Sequence, residues 1–167
     1  MSDESLLAGK KILVVDDEPD ILDVLEELLS MCMVVKASTF DQARELLESQ
    51  YFDLVILDIM GVDGYKLLEI SKRKNMAAVM LTAHAFTSDN LRRSIKEGAA
   101  SYIPKEEMTN ITSFLIDILK AQKEERNPWK PWQERLPSSY FAKRWGAAWQ
   151  DHDKEFWKRF WASKRKK

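Results

Sequence analysis

Short apolar runs alternate with amphipathic stretches along most of this chain. Lys11–Val15 (KILVV), Val34–Ala37, Leu54–Leu57 (LVIL), Ala78–Leu81 and Ser101–Ile103 read as strands. They lack the in-out alternation of a half-exposed strand, so the pattern predicts a sheet covered on both faces. Between Pro19 and Met31, Ile21, Leu22, Leu25, Leu28 and Leu29 recur at helical spacing, and Pro19 suits a first turn. Thr39 with Gln42 three residues on has the form of a capping box, opening a helix to about Gln50. Tyr65–Lys74 follows an Asp63-Gly64 turn, and Ser88-Asp89 caps a helix that stops at Gly98. A fifth helix runs from about Thr109 to Arg126. Strict strand–helix alternation with right-handed crossovers predicts a doubly wound α/β fold, a five-stranded parallel sheet between two helix layers.

Composition leaves room for a real core, at 167 residues and 45% hydrophobic. The single cysteine, Cys32, excludes an intrachain disulfide and reads as a core residue in a reducing compartment. The first residues are polar and acidic, and no apolar run approaches the roughly 20 residues of a membrane span. A cytoplasmic location is expected. Charge changes the picture more. Residues 1–121 hold 13 basic and 21 acidic residues, whereas 122–167 hold 13 and 6. All six tryptophans lie in the second stretch. The contrast points to an organised domain over residues 8–121, a Pro/Trp linker over 122–137, and an aromatic, basic helical tail over 138–167.

In a doubly wound sheet, ligands bind where the strands end. Asp16, Asp17 and Glu18 follow the first strand, Asp58 the third, Thr82 the fourth and Lys105 the fifth. Carboxylates brought together repel and raise one another's pKa, and a hard cation relieves that repulsion. Mg²⁺, bound by one or two carboxylates and retained waters, fits best. Lys105 adds a point charge for a phosphoryl oxygen, and Thr82 a hydroxyl. An Asp-Asp pair alone is usually a cap and a lone lysine is usually solvated; their register at successive strand ends is the signal. Such a carboxylate is suited to forming an acyl phosphate.

The segments ILVVDDEPD, LVILD, VMLTA and SYIPK resemble the receiver domain of two-component response regulators over residues 11–121. That resemblance implies a flavodoxin-like fold and a single-domain response regulator phosphorylated by a histidine kinase or phosphotransfer protein. It implies Asp58 as phosphoacceptor, Asp16 and Asp17 as the acidic pair around Mg²⁺, and Met60 as a backbone carbonyl ligand. It further implies Thr82 as the switch hydroxyl, Tyr102 as the switch aromatic and Lys105 as the phosphate-pairing ammonium. No turnover of an external substrate is expected.

Two departures stand out. The segment Asp58-Ile59-Met60-Gly61-Val62-Asp63-Gly64 is two residues shorter than the family's D-x-x-M-P-x-x-D-G and has no proline, though its glycines permit a tighter turn. Glu106 replaces the proline that follows the lysine, and a cis bond there would cost about 3 kcal/mol, so a trans or strained bond is expected. The competing class is a phosphatase with an aspartyl nucleophile. That class carries a second aspartate two residues on, where this chain has Met60. His84 reads as a loop residue, His152 as a surface residue, and Lys72-Arg73-Lys74 as a helix C-terminus.

Prolines 128, 131 and 137 predict an extended stretch from Asn127 to Pro137. From about Ser138 to Lys164 a single helix is expected, with Trp145, Trp149, Phe156, Trp157, Phe160 and Trp161 as an aromatic stripe. Such a stripe must be buried. It can dock on its own receiver, pair two chains as a homodimer, or fill a partner's groove. Membrane contact is weakened by Asp151, Asp153 and Glu155. DNA binding is not expected, and the final KRKK reads as a solvated end.

Overall fold

Strands β1 (Lys11–Val15), β2 (Met33–Ala37), β3 (Leu54–Asp58), β4 (Ala77–Thr82) and β5 (Ser101–Pro104) pair in parallel in the order β2-β1-β3-β4-β5. They belong to a computed structural model that describes residues 3–162. The final KRKK and the end of the expected tail helix at Lys164 lie outside the described residues. Every residue of β3 is buried, as are Ile12 to Val15 of β1 and Ala78 to Thr82 of β4. Fully burying each Val, Leu or Ile side chain is worth about 1.5–3 kcal/mol, which is why unbroken apolar runs form central strands. The chain leaves β1 outward to β2, then returns to β3 on β1's other side. That reversal opens a crevice at the carboxyl ends of β1 and β3.

The connecting helices are α1 (Pro19–Leu28), α2 (Phe40–Ser49), α3 (Gly64–Arg73), α4 (Ser88–Lys96) and α5 (Ile111–Glu124). Helix α1 opens on Pro19 but ends at Leu28, short of Met31. At the start of α2, Gln42 N donates to Thr39 Oγ1 at 3.1 Å, while the Gln42 side chain accepts from Ser38 N rather than from the cap residue. Helix α4 is capped one residue earlier than expected, by Thr87, whose hydroxyl oxygen accepts from Asn90 N at 3.1 Å. A 3₁₀ turn, Lys105–Asn110, precedes α5 and contains Thr109, where the helix was expected to begin. No peptide bond is cis among the described residues, so Glu106 follows Lys105 through a trans bond. Cys32 is half-buried, its Sγ donating to Leu7 O at 3.3 Å.

The C-terminal region departs from expectation. Helix α6 (Trp129–Arg135) occupies the stretch expected to be extended. The prolines permit it because Pro128 precedes the helix and Pro131 sits in its first turn, where N–H groups have no intrahelical acceptor. Asn127 Oδ1 accepts from Trp129 N at 2.9 Å and closes that end. The single tail helix is two, α7 (Ser138–Trp145) and α8 (Lys154–Ala162), joined through a 3₁₀ turn at Asp151–Asp153. The break falls at Gly146, whose φ of 92° no helix accommodates. Trp149, Trp157 and Phe160 of the aromatic stripe are buried, and Trp145, Phe156 and Trp161 pack partly buried against the core. The stripe therefore docks on the α/β domain of its own chain.

Candidate functional site

The crevice gathers the polar residues that terminate four strands. Asp16 follows β1 and is 1% exposed, Asp58 closes β3 at 7%, and Thr82 closes β4 at 1%. Asp17 is exposed. Pairing of Asp58 with Leu81 and of Thr82 with Pro104 carries the register across to Lys105. One carboxylate oxygen from each of Asp16, Asp17 and Asp58 falls within 4.8 Å of the others. Lys105 Nζ lies 2.9 Å from Asp16 Oδ2, 3.0 Å from Glu18 Oε1 and 3.7 Å from Asp58 Oδ1.

The electrostatics follow from burial and crowding. Burial, reinforced by the charge on Asp16, pushes the Asp58 carboxyl from 3.8 up to about 7, against the pull of Lys105. Burial likewise raises Asp16, while the neighbouring Lys105 ammonium and the hydrogen bond from Glu18 N draw it down. Glu18 is held below the usual carboxylate range by its hydrogen bond from Lys105. Burial disfavours the Lys105 ammonium, yet the carboxylates around it outweigh that effect and hold its pKa up.

An oxygen-seeking cation suits this donor set. Asp16 Oδ2 is buried, and Lys105 Nζ, though close, is not aligned to donate to it. Three mutually repelling carboxylates around such an atom form the hard, all-oxygen group that Mg²⁺ prefers. The short loop after β3 shapes the same corner. Gly61 has φ 85°, and a Cβ there would sit 2.5 Å from Asp17 Oδ2. Met60 stands in that loop with its side chain exposed.

Tyr102 points inward and is fully buried. Its hydroxyl donates to Ala85 O at 3.0 Å and accepts from Thr87 N at 3.1 Å. Burial pushes that phenol well above its usual range. Ala85 N in turn donates to Thr82 Oγ1 at 3.0 Å, so Thr82 and Tyr102 both hold the loop between β4 and α4. The structure thus brings Asp16, Asp17, Asp58, Thr82 and Lys105 into one crevice and ties Tyr102 to it through that loop. Two participants carried no role in the sequence reading. Glu18 is a direct partner of Lys105, and Phe86 stacks on Tyr102 with ring centroids 5.8 Å apart. For Glu18 the signal was its place directly after Asp17; for Phe86 there was none. His84 is exposed.

Residues 12–115 match the response regulator receiver domain family. A two-component response regulator of Arabidopsis thaliana is 40% identical over 118 residues, covering 65% of this chain and 18% of that protein. A probable transcriptional regulator of Guillardia theta is 39% identical over 129 residues, covering 71% of this chain and 50% of that protein. The chain therefore spans half or less of the length of these two relatives. Among solved structures, a receiver domain protein of Methanospirillum hungatei superposes with a TM-score of 0.59 at 28% identity, covering 69% of this chain and 99% of that one. One from Clostridium thermocellum gives 0.59 at 32% identity, covering 69% and 97%. Among the described residues, no helix is long and apolar enough to cross a membrane.

Proposed function

This chain belongs to the response regulator receiver family of two-component signalling, and on that footing we propose that it is a switch phosphorylated on Asp58 by a histidine kinase or phosphotransfer protein. The observation that carries the reading is the position of Asp58, buried beside Asp16 and Asp17 with Lys105 Nζ 3.7 Å away. Asp58 would attack the phosphorus of a phosphohistidine, forming an O–P bond as the P–N bond breaks and the imidazole departs. Asp16, Asp17, Asp58 and the Met60 carbonyl would hold Mg²⁺. When bound, that ion supplies positive charge that favours the ionised Asp58 and neutralises the phosphoryl oxygens.

The remaining chemistry belongs to the chain. Lys105 pairs with a phosphoryl oxygen as its contacts to the carboxylates loosen. The Thr82 hydroxyl donates to a third oxygen, leaving the developing charge matched on several sides. Receiver domains are signalling switches, and Met60 stands where an aspartyl phosphatase carries its second aspartate, so the phosphorylated state is read out rather than turned over on a substrate.

The test is intact-mass spectrometry after incubation with acetyl phosphate and Mg²⁺. One phosphate adduct is expected on wild type, mapping to Asp58, and none on Asp58→Ala. A wild type without an adduct defeats the assignment.

A further inference from the structure

Helices α6, α7 and α8 form one body seated on β5. On α6, Trp129 Nε1 donates to Ala99 O at 3.0 Å and Trp132 Nε1 to Tyr102 O at 2.9 Å. Phe141 of α7 is fully buried and stacks on Trp132 with ring centroids 5.5 Å apart. Gln133 Nε2 of α6 donates to Phe160 O of α8 at 2.9 Å, and Trp145 Nε1 of α7 donates to Phe86 O at 3.1 Å. Helix α7 is therefore a fixed platform.

From that platform two side chains reach Glu106. The Tyr140 hydroxyl and the Arg144 guanidinium both donate to Glu106 Oε2, Arg144 Nε at 2.7 Å. An exposed ion pair ordinarily contributes little, because two long side chains must be stilled to make it. Here the arginine is stilled beforehand. Its guanidinium carbon lies 3.6 Å from the Tyr140 ring centroid, and Nη1 donates to Tyr140 O at 3.0 Å. Tyr140 in turn packs edge-on against Phe141 at 5.2 Å. Most of the ordering cost of the clasp falls on Glu106.

Glu106 directly follows Lys105. Lys105 opens the 3₁₀ turn Lys105–Asn110, a conformation with poorer hydrogen-bond geometry than an α-helix. On one side of it Pro104 pairs with Thr82, and on the other Glu106 is gripped from α7. The backbone that aims Lys105 Nζ at Asp16 and Asp58 is thus held on both sides of that residue, and the second hold comes from the C-terminal helices.

We propose that Glu106, clasped by Tyr140 and Arg144, is a positioning residue for Lys105, so that the C-terminal helices complete the phosphoacceptor site. This rests on the phosphoacceptor reading of Asp58. Charge stabilisation of a transferring phosphoryl group depends on where the cation stands before the reaction, and a misplacement of about 1 Å can cost on the order of a hundredfold in rate. With Pro104 still paired, loss of the clasp is expected to slow phosphorylation about tenfold.

The experiment uses the full chain with acetyl phosphate and Mg²⁺, the initial rate of adduct formation being read by intact mass. Glu106→Ala and Arg144→Ala are expected to fall about tenfold below wild type. Glu106→Gln, which keeps an acceptor oxygen for Tyr140 and Arg144, should recover most of the rate, and replacing the exposed Lys143 of α7 by alanine should change nothing. In a Lys105→Met background, Glu106→Ala should alter the rate by less than about twofold, because the group it positions is gone. Hydrogen exchange over residues 104–107 should rise in Glu106→Ala, with 11–15 and 54–58 unchanged. Glu106→Ala at the wild-type rate overturns the clasp and leaves the phosphoacceptor intact. A Glu106→Gln rate as low as that of Glu106→Ala, or an equal fall in the Lys105→Met background, overturns action through Lys105. Exchange raised across β1 and β3 as well would mark a general loss of structure and overturns positioning. Absence of any adduct on wild type overturns clasp and phosphoacceptor together.

Discussion

Replacing the buried, crowded Asp58 by asparagine should stabilise the metal-free protein. Folding moves the Asp58 carboxyl from its usual 3.8 to about 7, because burial and the neighbouring carboxylates disfavour its charge. A carboxyl raised on folding contributes its full share of stability below the unfolded pKa and loses it as pH rises through the folded one. The window therefore runs from about pH 4 to about pH 7. Each tenfold step in acidity is worth about 1.4 kcal/mol, so the ionised carboxylate costs near 4 kcal/mol above that window. Asp16 is also raised, chiefly by its own burial, and the two neighbouring carboxyls titrate as a coupled pair. In urea denaturation with a chelator present, Asp58→Asn should exceed wild type by about 2–4 kcal/mol at about pH 8 and by less than about 0.5 kcal/mol at about pH 4. Added Mg²⁺ should narrow the gap by stabilising wild type through binding. A variant no more stable than wild type at the higher pH, or a gap independent of pH, would refute the reasoning.

Three further perturbations probe other parts of the molecule. In Gly64→Ala the new Cβ would sit 2.2 Å from the Asp58 carbonyl oxygen, so the short loop must shift. A loss of about 2 kcal/mol is expected, read as a fall in Tm of roughly 4–8 °C, and an unchanged Tm would show that the loop has slack. Trp132→Phe leaves the Tyr102 carbonyl without its indole donor in a buried setting and should cost about 1–3 kcal/mol by urea titration; a neutral result would mean α6 contributes little. Lys105→Met removes the cation that pulls Asp58 down. An NMR titration should place that carboxyl above its wild-type value, and a lower one contradicts the site's electrostatics.

The sheet and the site were legible for one shared reason. Buried strands must be continuous apolar runs, so LVIL and its counterparts mark themselves, and the first polar residue after each run falls in the crevice. Asp16, Asp17, Asp58, Thr82 and Lys105 are those residues, or lie one past them. The tail was legible only in composition. Six tryptophans announced a buried stripe, but prolines 128 and 131 pointed to an extended chain because the sequence does not show whether a proline falls in a helix's first turn, where it is tolerated. Phe86 could not be singled out, since its importance comes from Trp145, 59 residues away, meeting its carbonyl. The same holds for the Thr87 cap of α4, where three adjacent polar residues all qualify and tertiary contact with Tyr102 decides.

Seating α6 on β5 also settles what becomes of the sheet's end. A terminal strand displays unpaired backbone groups that invite a strand from another molecule, the first step toward intermolecular sheets. At the far end, β2 carries Lys36, paired with Asp23 and Glu26, a charge that discourages such addition. At the near end the indoles of Trp129 and Trp132 occupy carbonyls of Ala99 and Tyr102. Two side chains thus stand in for a sixth strand and close the sheet without extending it. A chain cut before Trp129 would carry β5 bare, and its colloidal behaviour, more than its phosphorylation chemistry, would register the loss.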